Sequence, residues 1–226
     1  GEERVVDTPL AESAIVGMAV GMAIHGLRPV AEIQFSGFIY QAFHQLENHA
    51  ARMRWRSRGR LAVPMVLRAP YGGGVRALEH HSESREAYWA HTPGLKVVMP
   101  ATPADAKGLL KSAIRDDNPV VFIEGEMLYN TKGEVPDGEL VGEIGTAAVA
   151  REGDDLTVVS YSRATAVALD VARQLAEEGV SVEVVDLRSL HPYDWDARCC
   201  RRSIDVNQPP SRGPSASSGG RGGPAR

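Results

Sequence analysis

Glu12 is the polar side chain that stands out near the start of an otherwise apolar run, Leu10 to Ile24. Burial disfavours a charged carboxylate, so a glutamate inside such a run would hold its proton more firmly, as proton exchange requires. The competing reading is a helix-start glutamate that favours the helix dipole from the surface. Residue types alone leave those two readings even. A second candidate group, Glu79-His80-His81-Ser82-Glu83-Ser84, follows a glycine-rich loop, Pro70-Tyr71-Gly72-Gly73-Gly74. Histidines on loops beside glycines are candidates for general acid and base work. Adjacent histidines also raise the question of zinc. Neighbours in sequence rarely chelate one ion together, however, and no further ligands sit at zinc spacing. The glycine triplet lacks both the Gly-Lys-Ser/Thr ending of a phosphate loop and the spacing of a dinucleotide fold. A conformational role for it is the better reading. No G-x-S-x-G elbow supports a serine hydrolase.

The elements that must carry these groups read as an alternation of helices and strands. Thr8 and Pro9 have the form of an N-cap and a first helical residue. The run to Ile24 behind them is apolar on nearly every face, which predicts a buried helix closed near Gly26. Val30 to Phe35 predicts a strand, and Ile39, Phe43, Leu46, Ala50 and Met53 recur at helical spacing. Arg52, Arg54, Arg56, Arg58 and Arg60 follow at alternate positions. A solvated helix end or subunit-contact surface is favoured there over a polyanion site. Strands are predicted over Val63 to Leu67, Lys96 to Met99 and Val120 to Ile123. A capped helix from Thr102-Pro103 to about Arg115 separates the last two. This pattern predicts an α/β fold with a largely parallel sheet.

Lys132 to Gly142 is a turn-rich, acidic connector. The organisation read from the chain is a first domain over 1–131, a linker over 132–142 and a second α/β unit over 143–196. That unit is predicted to hold a hairpin at Glu152-Gly153-Asp154, a strand Leu156 to Ser160, a helix from about Thr165 to Glu178, and a strand Val182 to Leu187. From Ala197 the composition turns to Arg, Pro, Ser and Gly, which predicts a disordered tail over 197–226.

The 226 residues are 43% hydrophobic and 24% charged, with a net charge of −4. They suffice for one or two domains with a core. The mild acidity gives no electrostatic reason to expect nucleic acid, and no apolar run is long enough for a membrane-spanning helix. Cys199 and Cys200 form neither a disulfide framework nor a metal knuckle, which fits a reducing compartment. The opening Gly1-Glu2-Glu3-Arg4 reads as a fragment whose N-terminus lies upstream.

Several runs in order resemble one family. They are Asp7-Thr8-Pro9-Leu10-Ala11-Glu12, Leu27 to Phe35, Glu79-His80-His81-Ser82, Pro93 to Val98, Asp105 to Leu110, and Asp116-Asp117-Asn118-Pro119-Val120-Val121. The chain from Gly1 to about Asp196 resembles the beta subunit of the thiamine-dependent first component of pyruvate and branched-chain 2-oxo acid dehydrogenase complexes. The resemblance implies a transketolase-like pyrimidine-binding fold followed by an incomplete transketolase C-terminal-like domain. It also implies decarboxylation of a 2-oxo acid on thiamine diphosphate, with the acyl group passed to the lipoyl group of an acyltransferase component. The location that the resemblance implies is the cytoplasm in a bacterium, or the mitochondrial matrix in a eukaryote.

Residue roles come with the same resemblance. Glu12 would hydrogen-bond N1′ of the aminopyrimidine, Phe38 would pack against that ring, and Leu10 would make an apolar contact. His81 would handle charge and protons on the reacting species, with His80 supporting it. Asp116 and Asn118, with carbonyls near Met65, would form a structural potassium site. The chain contains no Gly-Asp-Gly, the family's magnesium and diphosphate motif. An alpha subunit would supply that end, in a heterotetramer of two alpha and two beta subunits. The missing first strand region and the Arg/Pro/Ser/Gly tail depart from the family. They suggest a fragment or an out-of-frame reading, which resequencing of the locus tests. The rivals are another thiamine enzyme such as a transketolase, and a truncated, non-catalytic binding subunit.

Overall fold

The computed structural model describes residue 1 and residues 3–199, grouped as one unit over 1–194 and a second that begins at Trp195. Most of the tail predicted over 197–226 lies outside the described residues.

Helix α1 spans Glu12–Ile24, later than the Thr8-Pro9 start expected from sequence. The Ala11 N–H closes a tight turn on the Pro9 carbonyl at 2.8 Å. Ala11, at φ −144° and ψ 84°, is the actual N-cap. At the far end Leu27 N–H bonds the Met22 carbonyl and Gly26 N–H bonds that of Ala23, a Schellman closure. The expected all-round burial is also corrected. Glu12, Val16, Ala19, Val20 and Ala23 are buried, whereas Ala14 and Met18 face outward.

Strand β1 (Val30–Glu32) is shorter than predicted and leads into a 3-10 turn, Ser36–Ala42. An irregular, wide-wound turn (Gln45–Ala50) and a short helix α2 (Met53–Arg56) follow. The single helix expected from Ile39 is therefore a string of helical pieces. Its winding changes so that Ile39, Ala42, Leu46 and Ala50 all reach the core.

Strand β2 (Val66–Tyr71) starts later than Val63, because Pro64 has no N–H and the Met65 N–H turns back on the Val63 carbonyl at 2.9 Å. Helix α3 is Glu86–Ala90, and β3 is Lys96–Val98. Helix α4 (Pro103–Arg115) is capped by Thr102, whose hydroxyl accepts from the Asp105 N–H at 3.1 Å. Strand β4 (Val120–Gly125) is buried throughout.

β1, β2, β4 and β3 are parallel neighbours, as the alternation predicted. Alternate residues of β4 serve two cores. Val121 and Ile123 face the cluster of Val16, Ile39, Leu46 and Trp89, while Val120 and Phe122 face Leu109 and Ala113 of α4. Burial on both faces explains why this strand reads as one apolar run.

The second sheet comprises β5 (Ala148–Arg151), β6 (Leu156–Ser160) and β7 (Val182–Asp186), with α5 (Arg163–Glu177) packed on it. Its order is β5-β7-β6, so the hairpin expected at Glu152-Gly153-Asp154 does not form. β7 lies between the two strands instead. A Cβ on Gly153 would stand 2.1 Å from the Glu183 nitrogen, and the Asp154 and Asp155 N–H groups bond the Ser181 carbonyl. A last strand, β8 (Ser189–His191), runs antiparallel beside β3 and so extends the first sheet. In the second unit, α6 covers Asp196–Cys199.

Candidate active site

Crevices beyond the carboxyl ends of parallel strands are the usual ligand sites of open α/β sheets. Here the chain leaving β1 carries Phe35 and Phe38, and the chain leaving β2 carries His80 and His81. The two segments pack on each other. The His81 ring lies 4.5 Å from Phe35 and 5.4 Å from Phe38, edge-on in both cases. Phe38 is half-buried, and His80 lies 6.4 Å from its ring.

Ser36 and Gly37 make this approach possible. The Ser36 hydroxyl donates to the Glu83 carbonyl at 2.8 Å. A Cβ on Gly37 would stand 2.6 Å from the His80 carbonyl oxygen, so only glycine fits there without displacing the histidine loop.

Glu12 is 3% exposed at the first position of α1, so it is a buried side chain and not a surface helix-start glutamate. Helix α1 packs against the 36–42 turn, and the Ser13 hydroxyl donates to the Gln41 carbonyl. Leu10, just ahead of the helix, is 81% exposed and reaches none of this cluster's core. The structure thus joins Phe38, His80 and His81 directly, and anchors the Glu12 helix to the same turn.

One atom of the cluster points to a ligand. His81 Nδ1 is buried and has no hydrogen-bond partner among the described residues. Buried polar nitrogens are normally paired. An unpartnered imidazole nitrogen beside a half-buried phenyl ring, with a buried carboxyl on the helix behind, fits a nitrogen heterocycle such as an aminopyrimidine.

Asp116 and Asn118 form a separate group. Burial raises the Asp116 pKa, but hydrogen bonds from Lys96 and Asn118 outweigh it and hold the carboxyl below its ordinary value. Lys96 Nζ pairs with one oxygen, and Asn118 N–H and Nδ2 donate to the other at 2.9 and 3.0 Å. The Asp116 carbonyl accepts from Arg28 at 2.9 Å. The Asp116 and Asn118 side chains are thus engaged with each other and with Lys96. Among the described residues, no cluster of three or more His, Cys, Asp or Glu side chains could hold a metal ion. No described helix is long and apolar enough to cross a membrane.

The arginine-rich segment lines a groove of about 830 Å³ with Trp55, Val63 and Pro119, remote in sequence from the histidine loop. Arg52 pairs with Glu47, and Arg56 donates to the Asn48 carbonyl at 2.5 Å. Sequence reasoning assigned no separate role to Phe35 and Glu83, which fall inside the runs already named, and none to Gly37. The available signal was the tight Phe-Ser-Gly-Phe run, whose small central pair permits two chain segments to touch.

Comparison with known proteins adds a lineage to this geometry. The model of the transketolase pyrimidine-binding domain matches residues 1–132, and that of the transketolase C-terminal domain matches residues 145–203. The 2-oxoisovalerate dehydrogenase subunit beta of Bacillus subtilis (strain 168) is 53% identical over 198 residues, which are 87% of this chain and 61% of that protein. The pyruvate dehydrogenase E1 component subunit beta of Acholeplasma laidlawii is 55% identical over 195 residues, 86% of this chain and 60% of that protein. A solved structure described as a split gene transketolase, inactive beta4 tetramer, aligns with a TM-score of 0.70 at 28% identity. That alignment covers 85% of this chain and 59% of the other. The chain therefore spans about three fifths of the length of these relatives.

Proposed function

The chain belongs to the transketolase pyrimidine-binding-domain family, and on that premise we propose that it is the beta part of a thiamine-dependent 2-oxo acid dehydrogenase. The observation that carries this reading is the buried, unpartnered His81 Nδ1 set edge-on to Phe38 at the carboxyl ends of β1 and β2. The substrate class rests on the two dehydrogenase beta subunits that share more than half of the aligned residues. Their higher identity favours this over a transketolase, whose solved relative shares 28%.

When bound, thiamine diphosphate supplies the carbanion-stabilising ring that amino-acid side chains lack. Glu12 would bind the aminopyrimidine at N1′ and hold or release a proton there, a task suited to a buried carboxyl. Phe38 would pack on the pyrimidine face, with Leu10 becoming covered as a further apolar contact. His81 would exchange a proton with the substrate oxygens through a ring nitrogen, and His80 would support its orientation. Magnesium and the diphosphate would be held by an alpha subunit, in a two-alpha, two-beta assembly. The acyl group would leave to the lipoyl group of an acyltransferase component.

Co-expression of this chain with an alpha subunit tests the proposal. The expected result is release of CO₂ from pyruvate or 2-oxoisovalerate, dependent on thiamine diphosphate, and the faster substrate names the enzyme. An assembled complex that binds the cofactor but decarboxylates neither acid would overturn the dehydrogenase reading.

A further inference from the structure

Glu83 is the meeting point of the segments that build the candidate site. Its backbone carbonyl accepts from the Ser36 hydroxyl at 2.8 Å and from the Gly72 N–H at 3.1 Å. It therefore ties the chain leaving β1 to the chain leaving β2. Its carboxylate, with a side chain 18% exposed, accepts from Arg85 Nε at 2.7 Å. The Arg85 guanidinium lies 4.4 Å from the centre of the Tyr40 ring and donates to the Tyr40 hydroxyl at 3.2 Å. Tyr40 belongs to the same 36–42 turn that carries Phe38. The other carboxylate oxygen faces His80 Nδ1 at 3.8 Å. Gly37 closes the arrangement, because a Cβ there would stand 2.7 Å from Glu83 Oε2.

We propose that Glu83, held by Arg85, is a positioning residue that fixes the His81 ring against Phe35 and Phe38. The proposal rests on the reading of His81 as an active-site group. The clamp acts from both sides of His81. Upstream, the glycine-rich segment is tied to Glu83 through Gly72, and downstream the ion pair fastens the loop to the aromatic turn. Such a charge-assisted bond adds direction as well as strength. The Arg85 hydrogen bond holds the Glu83 carboxyl below its ordinary range, as a close ion pair requires. Supporting groups of this kind matter because small misplacements of a reacting group cost large factors in rate.

The test uses the full chain, alone and co-expressed with an alpha subunit. In the chain alone, the His81 ring resonances are expected away from those of exposed His25, shifted by the ring currents of Phe35 and Phe38. Glu83→Ala should move them toward the His25 positions. Glu83→Gln, which keeps an oxygen for Arg85, should restore most of the original shift. In the assembled enzyme, Glu83→Ala should lower kcat by about tenfold to a hundredfold with little change in KM, and Glu83→Gln should recover much of the loss. Should Glu83→Ala not fold, Arg85→Lys keeps the charge but loses the planar stack on Tyr40, and an intermediate shift of His81 is expected. Unmoved His81 resonances in a folded Glu83→Ala or Arg85→Lys chain would overturn the proposal. A moved resonance with unchanged kcat in an active enzyme would do the same. If the wild-type complex decarboxylates nothing, the dehydrogenase reading fails, while the resonance shifts still decide whether Glu83 positions His81.

Discussion

At Asp186, burial disfavours the charged form strongly enough to push the pKa up to about 6, although the Arg188 N–H at 3.1 Å pulls the other way. An unfolded aspartate titrates near ~3.9. Between those values the folded chain binds more protons than the unfolded one. Acidification through that window therefore stabilises the fold, and raising the pH above about 6 removes that contribution. Asp186→Asn keeps an oxygen for Arg188 and removes the charge. It should raise stability at pH 8 by roughly 1–3 kcal/mol, with little effect near pH 4, as urea unfolding would show. A second residue-scale expectation concerns Ser162, held at φ 48° and ψ −125° between β6 and α5. That conformation is strained for any residue with a Cβ. Ser162→Gly should leave stability unchanged or raise it by up to about 1 kcal/mol; a clear loss in thermal unfolding would contradict the strain assignment. Neither residue was legible in the sequence, because burial of Asp186 is set by partners distant along the chain and no residue pattern marks Ser162 for a positive φ. Glu12 was legible, since an apolar run around one carboxylate already poses the question that its 3% exposure answers.

Elements with strong local signals were read closely. The Thr102-Pro103 start of α4 and the apolar runs of β4 and β7 specify themselves through capping chemistry and two-sided burial. Errors fell where a distant segment overrides a local preference. Glu152-Gly153-Asp154 has hairpin chemistry, yet β7 inserts and the turn wraps around its start. The helix expected from Ile39 breaks up where the 36–42 turn must meet the histidine loop. β8 adds to the first sheet through a pairing that its three residues could not announce. Gly153→Ala tests the insertion at this scale. Its Cβ would meet the Val182 and Glu183 backbone at 2.2 and 2.1 Å, so a loss of about 2–4 kcal/mol is expected. Near-neutral behaviour in urea unfolding would mean that the turn does not press on β7.

Over the whole molecule, the runs that resemble one family made the fold class legible from one sequence, while the local geometry around Glu83 was not. The chain spans about three fifths of its dehydrogenase relatives, and the proposed role of its candidate site is to hold the pyrimidine end of the cofactor. Met18 on α1 and Leu10 just ahead of the helix are exposed. The most direct measurement is decarboxylation by this chain assembled with an alpha subunit, comparing wild type with Glu12→Gln. The amide cannot exchange the proton assigned to the carboxyl. The expected result is a fall in kcat of about 100-fold or more, with the complex still assembled. Glu12→Gln activity equal to wild type in that assembled complex would contradict the account.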